Sequence, residues 1–234
     1  MFQHNDILVS QEQIAADQQR FMVKVYAWMS AALLVTGMVA MWTATTPEAL
    51  AFIFGNKIVF YGLLIVELAF VGSLVGLVNR LSAAVATLLF IAYSIVNGLT
   101  LSVVFLAYTQ ESIATTFFIT AGTFAAMSAY GYFTKSDLTK MGNILFMALI
   151  GLIIASIVNL FFYSEILYWI TSYAGVLIFT GLIAYDTQKL KAIGLSAGQD
   201  FETGRKQAIV GALSLYLDFI NLFLMLLRFF GRKK

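Results

Sequence analysis

Long apolar stretches alternate with short polar segments along most of the chain. After the polar residues 1–20, seven apolar runs follow, each close to the roughly 20 residues that an α-helix needs to cross a bilayer. The runs are Phe21–Thr43, Lys57–Val78, Leu81–Tyr108, Ile113–Phe133, Asn143–Tyr163, Ile166–Thr187 and Ala208–Phe230. Strands of a membrane barrel alternate apolar and polar residues over about ten positions, whereas these runs are continuous and about twice as long. The pattern therefore predicts an all-α membrane protein with seven transmembrane helices.

Composition agrees with this class and excludes others. Of the 234 residues, 61% are hydrophobic and 11% are charged, and the mean hydropathy is +0.88. Soluble domains carry about 25% charged residues, so a soluble enzyme, a nucleic-acid binder and a disordered chain are excluded. There is no Cys, which excludes a thiolate metal site and a cysteine nucleophile. The one His is His4, outside the apolar runs, so a membrane hydrolase of the Ser/His type is excluded as well.

Charges in the loops predict the orientation. With a cytoplasmic N-terminus, the inner segments hold Arg20, Lys24, Arg80, Lys135, Lys140, Lys189, Lys191, Arg205 and Lys206. The internal outer loops hold one basic residue, Lys57, as the positive-inside rule requires. The basic tail 232–234 disagrees, so either it tolerates the outer side or the last segment re-enters, and the length of 208–230 favours a full span. We predict a polar cytoplasmic tail over 1–20 and a single seven-helix domain over 21–234.

Ionisable residues within the apolar runs are the candidates for function, because each costs a few kcal/mol to place in a membrane. They are Glu67, Arg80, Asp186, Asp218 and Arg228. Their depths along the spans suggest two tiers. Arg80, Asp186 and Asp218 would meet in the cytoplasmic half, whereas Glu67 and Arg228 would form an outer ion pair of structural character. Gly72 and Gly76, and likewise Gly175 and Gly181, are spaced for close helix contact.

Asp186 and Asp218 carry a specific chemical hypothesis. Two neighbouring carboxylates cannot both ionise cheaply, so they share a proton. At low pH the shared proton would hold their two helices together. At higher pH both carboxylates would ionise, repel each other, and either recruit Arg80 or admit a cation.

Two stretches of the sequence closely resemble a known family. Leu213–Phe223, continuing to Gly231, and Ala184–Gln188 resemble the Bax inhibitor-1-like family, the transmembrane Bax inhibitor motif proteins. Asn97–Leu101 and Lys135–Leu138 support the resemblance. It covers nearly the whole chain from about residue 20, and it resembles a bacterial member of the inner membrane.

The resemblance implies a fold and a function. The seventh helix would lie at the centre, surrounded by the other six. Asp186 and Asp218 would form a hydrogen-bonded di-aspartyl pH sensor, and Arg80 would act as a latch that pairs with Asp186. Family members are associated with a pH-dependent calcium leak, which implies calcium ions and protons as partners beside the lipid bilayer, and no cofactor. The two Asp residues offer at most four of the six to eight oxygens that calcium prefers, so calcium binding would be weak and transient.

Two other functions, an intramembrane protease and a regulatory protein, are alternatives to the leak channel. An intramembrane aspartyl protease also needs two Asp residues, but it needs a Gly-x-Gly-Asp motif and a late Pro. Asp218 follows Leu-Tyr-Leu and the one Pro is Pro47, so we predict no enzyme. The alternative is a regulatory protein that binds a membrane protein partner, since bacterial relatives include a modulator of a membrane-anchored AAA protease. Its contact surfaces would be Gln188–Gln207 and the tail 1–20.

Overall fold

Most of the residues that the structure describes are α-helical. In a computed structural model, the structure describes residues 2–195 and 201–234, and the side chains of residues 13–195 and 202–234. The helices are α1 (Phe2–Thr45), α2 (Pro47–Phe54), α3 (Lys57–Gly76), α4 (Ala83–Ala107), α5 (Gln110–Phe133), α6 (Thr139–Phe161), α7 (Glu165–Gly194) and α8 (Phe201–Phe230). Over these residues the only β pairing is an isolated bridge between Tyr108 and Lys233. The predicted all-α class is confirmed.

Seven of these helices are long and apolar enough to cross a membrane, which confirms the predicted number of spans. The exception is α2, an eight-residue helix that the hydrophobic pattern did not predict. It begins at Pro47, directly after the extended residue Thr46. Proline suits the first turn of a helix, where its fixed φ is already helical and its missing N–H has no intrahelical partner to lose.

The ends of several helices differ from the prediction. α1 begins at Phe2, so the tail 1–20 is helical over its described backbone, although the side chains of residues 1–12 lie outside the described part. α7 continues to Gly194 and α8 begins at Phe201, so the predicted loop Gln188–Gln207 is largely helical, with 196–200 outside the described residues. Hydrophobicity marks only the part of a helix that lies in lipid, whereas Lys, Arg, Glu and Gln continue a helix readily in water.

The last helix runs without a break from Phe201 to Phe230. Its 30 residues correspond to about 45 Å, more than the roughly 30 Å of a bilayer core. A re-entrant segment would need a turn within this range, so the helix is a full span by length. It is also the most buried of the seven, with 72% of its apolar window buried against 6% for α3 and α6. Its position at the centre of the other six stays a prediction.

The chain divides into two compact units. Unit 1 comprises Met1–Leu106 and Leu190–Tyr216, and unit 2 comprises Ala107–Lys189 and Leu217–Lys234. Helices α7 and α8 therefore contribute residues to both units. A single domain over 21–234 stays a prediction.

Glycines bring helices of unit 2 into close contact. A Cβ on Gly175 would lie 2.8 Å from Cγ of Met225, and one on Gly181 would lie 2.6 Å from Cδ1 of Leu145, which confirms the prediction for these two. The same prediction is wrong for Gly72 and Gly76 of α3, because a Cβ on either would meet no neighbouring atom of the described residues within 4 Å. Spacing alone cannot distinguish a glycine that faces a helix from one that faces lipid.

Candidate functional site

Asp218 is the buried acid of unit 2. Its side chain lies on α8 with 6% of its surface exposed. It is hydrogen-bonded to the side chain of Asp186 on α7, which is itself half-buried. The second oxygen, Oδ2 of Asp218, has no hydrogen-bond partner among the described residues. The structure thus brings together the two carboxyls that the sequence singled out.

The residues on either side of Asp186 hold α7 against α5 and α6. The ring of Tyr185 lies directly against Gly142 of α6, where any Cβ would collide with it. The hydroxyl of Thr187 donates to Oγ of Ser128 on α5 at 3.4 Å. Gly131 of α5 lies so close to the carbonyl of Ala184 that a side chain would not fit. The backbone on which Asp186 stands is therefore fixed by packing on both sides.

Gln188 joins α7 to the loop between α5 and α6. Its Oε1 accepts from the backbone N–H of Leu138 at 2.9 Å, and its Nε2 donates to the carbonyl of Ser136 at 2.8 Å. In the same loop, Oδ1 of Asp137 accepts from the N–H of Thr139 at the start of α6. Hydrogen bonds from the hydroxyl and the N–H of Thr139 lower the pKa of Asp137, because they stabilise its ionised form. Two of the sequence stretches that resembled the family, Ala184–Gln188 and Lys135–Leu138, thus contact each other.

The α8 side of the pair is aromatic. Phe219, the residue after Asp218, packs edge-on against Phe117 and Phe124 of α5, with ring centroids 5.4 and 5.7 Å apart. The rings of Phe117, Phe124 and Phe219 thus make that flank of α8 apolar.

Arg80 lies in the turn that follows α3, in unit 1. Its side chain is exposed, and its backbone N–H donates to the carbonyl of Leu77 at 2.8 Å. Asp186 belongs to unit 2, so the pairing of Arg80 with Asp186 stays a prediction.

Glu67 and Arg228 each have neutral partners within their own unit. The carboxylate of Glu67 accepts from Oγ1 of Thr100 at 2.6 Å and from Nδ2 of Asn97 at 3.4 Å, all in unit 1. In unit 2, Nη1 of Arg228 donates to Oγ of Ser172 at 3.1 Å, and its guanidinium lies 4.8 Å from the centre of the Tyr168 ring. The outer ion pair of Glu67 with Arg228 stays a prediction.

The sequence matches the model of a known family over most of its length. The family model described as inhibitor of apoptosis-promoting Bax1 matches residues 18–234. The chain belongs to this family.

The sequences of its relatives match this chain along nearly its full length. The chain is 50% identical over 234 residues to the inner membrane protein YbhL of Escherichia coli strain K12, covering 100% of this chain and 99% of YbhL. It is 45% identical over 227 residues to an uncharacterized protein of Borreliella burgdorferi, covering 97% of this chain and 98% of that one. A protein of Rickettsia prowazekii is 46% identical over 220 residues, with 92% and 91% covered. With its seven spans, this Bax inhibitor family member is a multi-pass protein of the inner membrane.

Sequence reasoning missed the polar residues that surround Glu67. Asn97 and Thr100 stand three apart on α4, and Tyr216 stands two residues before Asp218 on α8. The available signal was the spacing of Asn97 and Thr100, which places both on one face of a helix. Both residues lie in Asn97–Leu101, a stretch whose similarity to the family gave no indication of their contact with Glu67.

Proposed function

We propose that this protein is a pH-sensitive leak channel for cations, with calcium as the transported ion and the di-aspartyl pair as its proton sensor. The observation that carries the proposal is the buried carboxyl of Asp218, hydrogen-bonded to the carboxyl of Asp186. A hydrogen bond between two carboxyls needs a proton on one of them, because two carboxylates have only acceptors. This hydrogen bond between Asp186 and Asp218 therefore exists only while the pair of carboxyls holds a proton.

Loss of that proton changes the forces between the helices. Two ionised carboxylates at hydrogen-bond distance repel strongly in a site that water does not screen. Either a cation enters between them or the side chains separate. Asp186 stands on a segment of α7 that packing fixes, so we expect the separation to occur through α8.

Arg80 enters the proposal as a latch. When the pair ionises, its guanidinium would compete with the permeant cation for Asp186. We therefore expect Arg80→Ala to raise the flux at higher pH. Arg20→Ala is the matched control, because Arg20 is exposed and pairs with Asp17 at 3.6 Å on the same helix. Equal effects of the two substitutions would remove the latch from the proposal.

Calcium fits as a passing ion rather than as a resident one. Among the described residues no group of three or more His, Cys, Asp or Glu side chains is placed to hold a metal. Oδ2 of Asp218 is an oxygen that a passing cation would meet. Since calcium prefers six to eight oxygens, two carboxyls would release it readily, as conduction requires.

The experiment is calcium flux into proteoliposomes at about pH 6 and about pH 8, with the wild type and Asp186→Asn. We expect greater flux of the wild type at the higher pH and the same flux at both pH values for Asp186→Asn. Asp137→Asn is the matched control, because Asp137 is an exposed loop residue, and it should keep the pH dependence of the wild type. A flux of Asp186→Asn that still responds to pH would overturn the proposal.

Absence of flux under every condition would favour the alternative, a regulatory protein that binds a membrane protein partner. Its contact surfaces adjoin each other in unit 1: Nε2 of Gln18 donates to the carbonyl of Lys191 at 2.7 Å, and Gly194 lies against Phe21. Deletion of residues 2–15 separates the two functions. Unchanged flux after the deletion supports a self-contained channel.

A further inference from the structure

Glu67 is an acid within a span whose described contacts are neutral. Its Oε1 accepts from Thr100 at 2.6 Å and its Oε2 accepts from Asn97 at 3.4 Å. The titratable groups that face it are two phenols, Tyr93 of α4 and Tyr216 of α8. Within unit 1, a change in the charge of Glu67 therefore acts first on neutral hydrogen-bonding groups.

A chain of four polar contacts begins at this carboxyl. After the contact of Glu67 with Asn97, Oδ1 of Asn97 accepts from the hydroxyl of Tyr216 at 3.0 Å. The Tyr216 oxygen lies 2.7 Å from Oγ1 of Thr36, and the Thr36 hydroxyl lies 2.9 Å from the carbonyl oxygen of Ser94. Asn97, Tyr216 and Thr36 are all buried, so each contact matters for the stability of unit 1.

The ionised carboxylate leaves this chain one hydrogen short. The Asn97 amide, the Tyr216 hydroxyl and the Thr36 hydroxyl donate one hydrogen each toward Glu67. The fourth contact, between Thr36 and the carbonyl of Ser94, then has no hydrogen, because a hydroxyl carries only one. Three hydrogens are therefore available for four contacts.

A neutral carboxyl supplies the missing hydrogen and reverses the chain. The Glu67 O–H donates to Oδ1 of Asn97, once the amide has turned by about half a turn. Nδ2 of Asn97 then donates to the Tyr216 oxygen, Tyr216 donates to Thr36, and Thr36 donates to the carbonyl of Ser94. One proton is taken up, and every contact holds one hydrogen.

We propose that Glu67 is a proton-binding site of unit 1, and that its protonation reverses the direction of donation from Glu67 to Ser94. The inference goes beyond the proposed function, since it uses no residue of the di-aspartyl pair. The neutral form adds one hydrogen bond among helices α3, α4, α8 and α1, so proton uptake tightens their contact.

Infrared difference spectroscopy of the full chain in lipid vesicles, between acidic and neutral buffer, tests the proposal. We expect a carboxylic acid C=O band on acidification that persists in Asp218→Asn and is lost in Glu67→Gln. The tyrosine C–O band reports whether a phenol donates or accepts, and its shift should be lost in Tyr216→Phe. In Glu67→Gln the amide donates to Asn97 at every pH, so the tyrosine band should stay at its acidic position.

Two further variants protect the test against misfolding. Thr36→Val is nearly isosteric and should keep the Glu67 band while it changes the tyrosine shift. Asn97→Leu should move the frequency of the Glu67 band, which assigns the band even if Glu67→Gln does not fold. The proposal is overturned if no carboxyl band responds to Glu67→Gln or to Asn97→Leu, or if the band appears without a tyrosine shift. Neither result depends on calcium flux, which tests the proposed function separately.

Discussion

Two of the intramembrane acids of this protein, Glu67 in unit 1 and Asp218 in unit 2, have different hydrogen-bond partners. Both oxygens of Glu67 accept hydrogen bonds from neutral donors. Asp218 is more deeply buried, its partner is a second acid, and one of its oxygens has no partner among the described residues. A carboxylate among neutral donors tolerates either state of charge, whereas a pair of acids must hold a proton, bind a cation or separate.

Burial of an acid is therefore not sufficient to make it a gate for ions. In our proposal, protonation of Glu67 reverses the direction of donation along its chain of hydrogen bonds. Loss of the proton from the di-aspartyl pair creates repulsion that only movement or a cation relieves. We therefore expect Glu67 to bind a proton without a change of shape, and the di-aspartyl pair to respond to pH with one.

The largest expected effect separates these roles. We expect Asp218→Asn to abolish the pH dependence of calcium flux, since Asn holds the hydrogen bond to Asp186 without a titrating proton. Glu67→Gln, the same change of acid to amide in unit 1, should keep a pH-dependent flux. Flux measured in proteoliposomes over a pH series checks both. If Glu67→Gln abolished the pH dependence and Asp218→Asn did not, the roles assigned to the two acids would be exchanged.

The next effect concerns the close packing that supports each acid. We expect Gly131→Ala in unit 2 and Gly98→Ala in unit 1 each to destabilise the protein by about 1–3 kcal/mol, because a Cβ would meet backbone atoms or the half-buried side chain of Val39. Thermal stability in detergent measures both. Gly122→Ala and Gly151→Ala are matched controls, since a Cβ there would meet no neighbouring group within 4 Å in the described part of the chain. An equal loss in the controls would show that the cost is not one of packing.

The sequence predicted the seven spans because each is a long apolar run, and it singled out Asp186 and Asp218 because charges are rare in such runs. It did not predict α2, since the eight residues Pro47–Phe54 are too few to show a membrane signal. It also missed the contacts of Gln188 with Ser136 and Leu138, which are 52 and 50 residues away in the chain. Contacts between side chains that are distant in sequence depend on how helices face each other, and hydrophobic periodicity does not carry that information.

A smaller effect is expected at Gln188, which fixes the loop beside Asp186. Gln188→Ala removes two hydrogen bonds, one of them exposed, and should destabilise unit 2 by about 1–2 kcal/mol. We also expect it to shift the pH midpoint of the flux without abolishing the response, because Asp186 keeps its proton-sharing partner. Gln188→Glu retains the acceptor for the N–H of Leu138 and should recover part of the stability. A midpoint identical to that of the wild type would show that the loop does not influence Asp186.

The smallest effect lies outside the membrane, at Asp137. Its pKa is lowered below the ordinary value by hydrogen bonds from Thr139, so the folded state favours the ionised form. A group with a lowered pKa stabilises the fold above its unfolded pKa of about 4, and that stabilisation is lost as the pH falls through the lower, folded pKa. Asp137→Ala should therefore lower the melting temperature slightly at neutral pH, and the difference from the wild type should shrink in acid. Asp137→Asn keeps an oxygen for the N–H of Thr139 and should behave closer to the wild type. Because Asp137 shares its loop with both contacts of Gln188, a melting difference that grew in acid would instead assign the acid sensitivity of this region to another group.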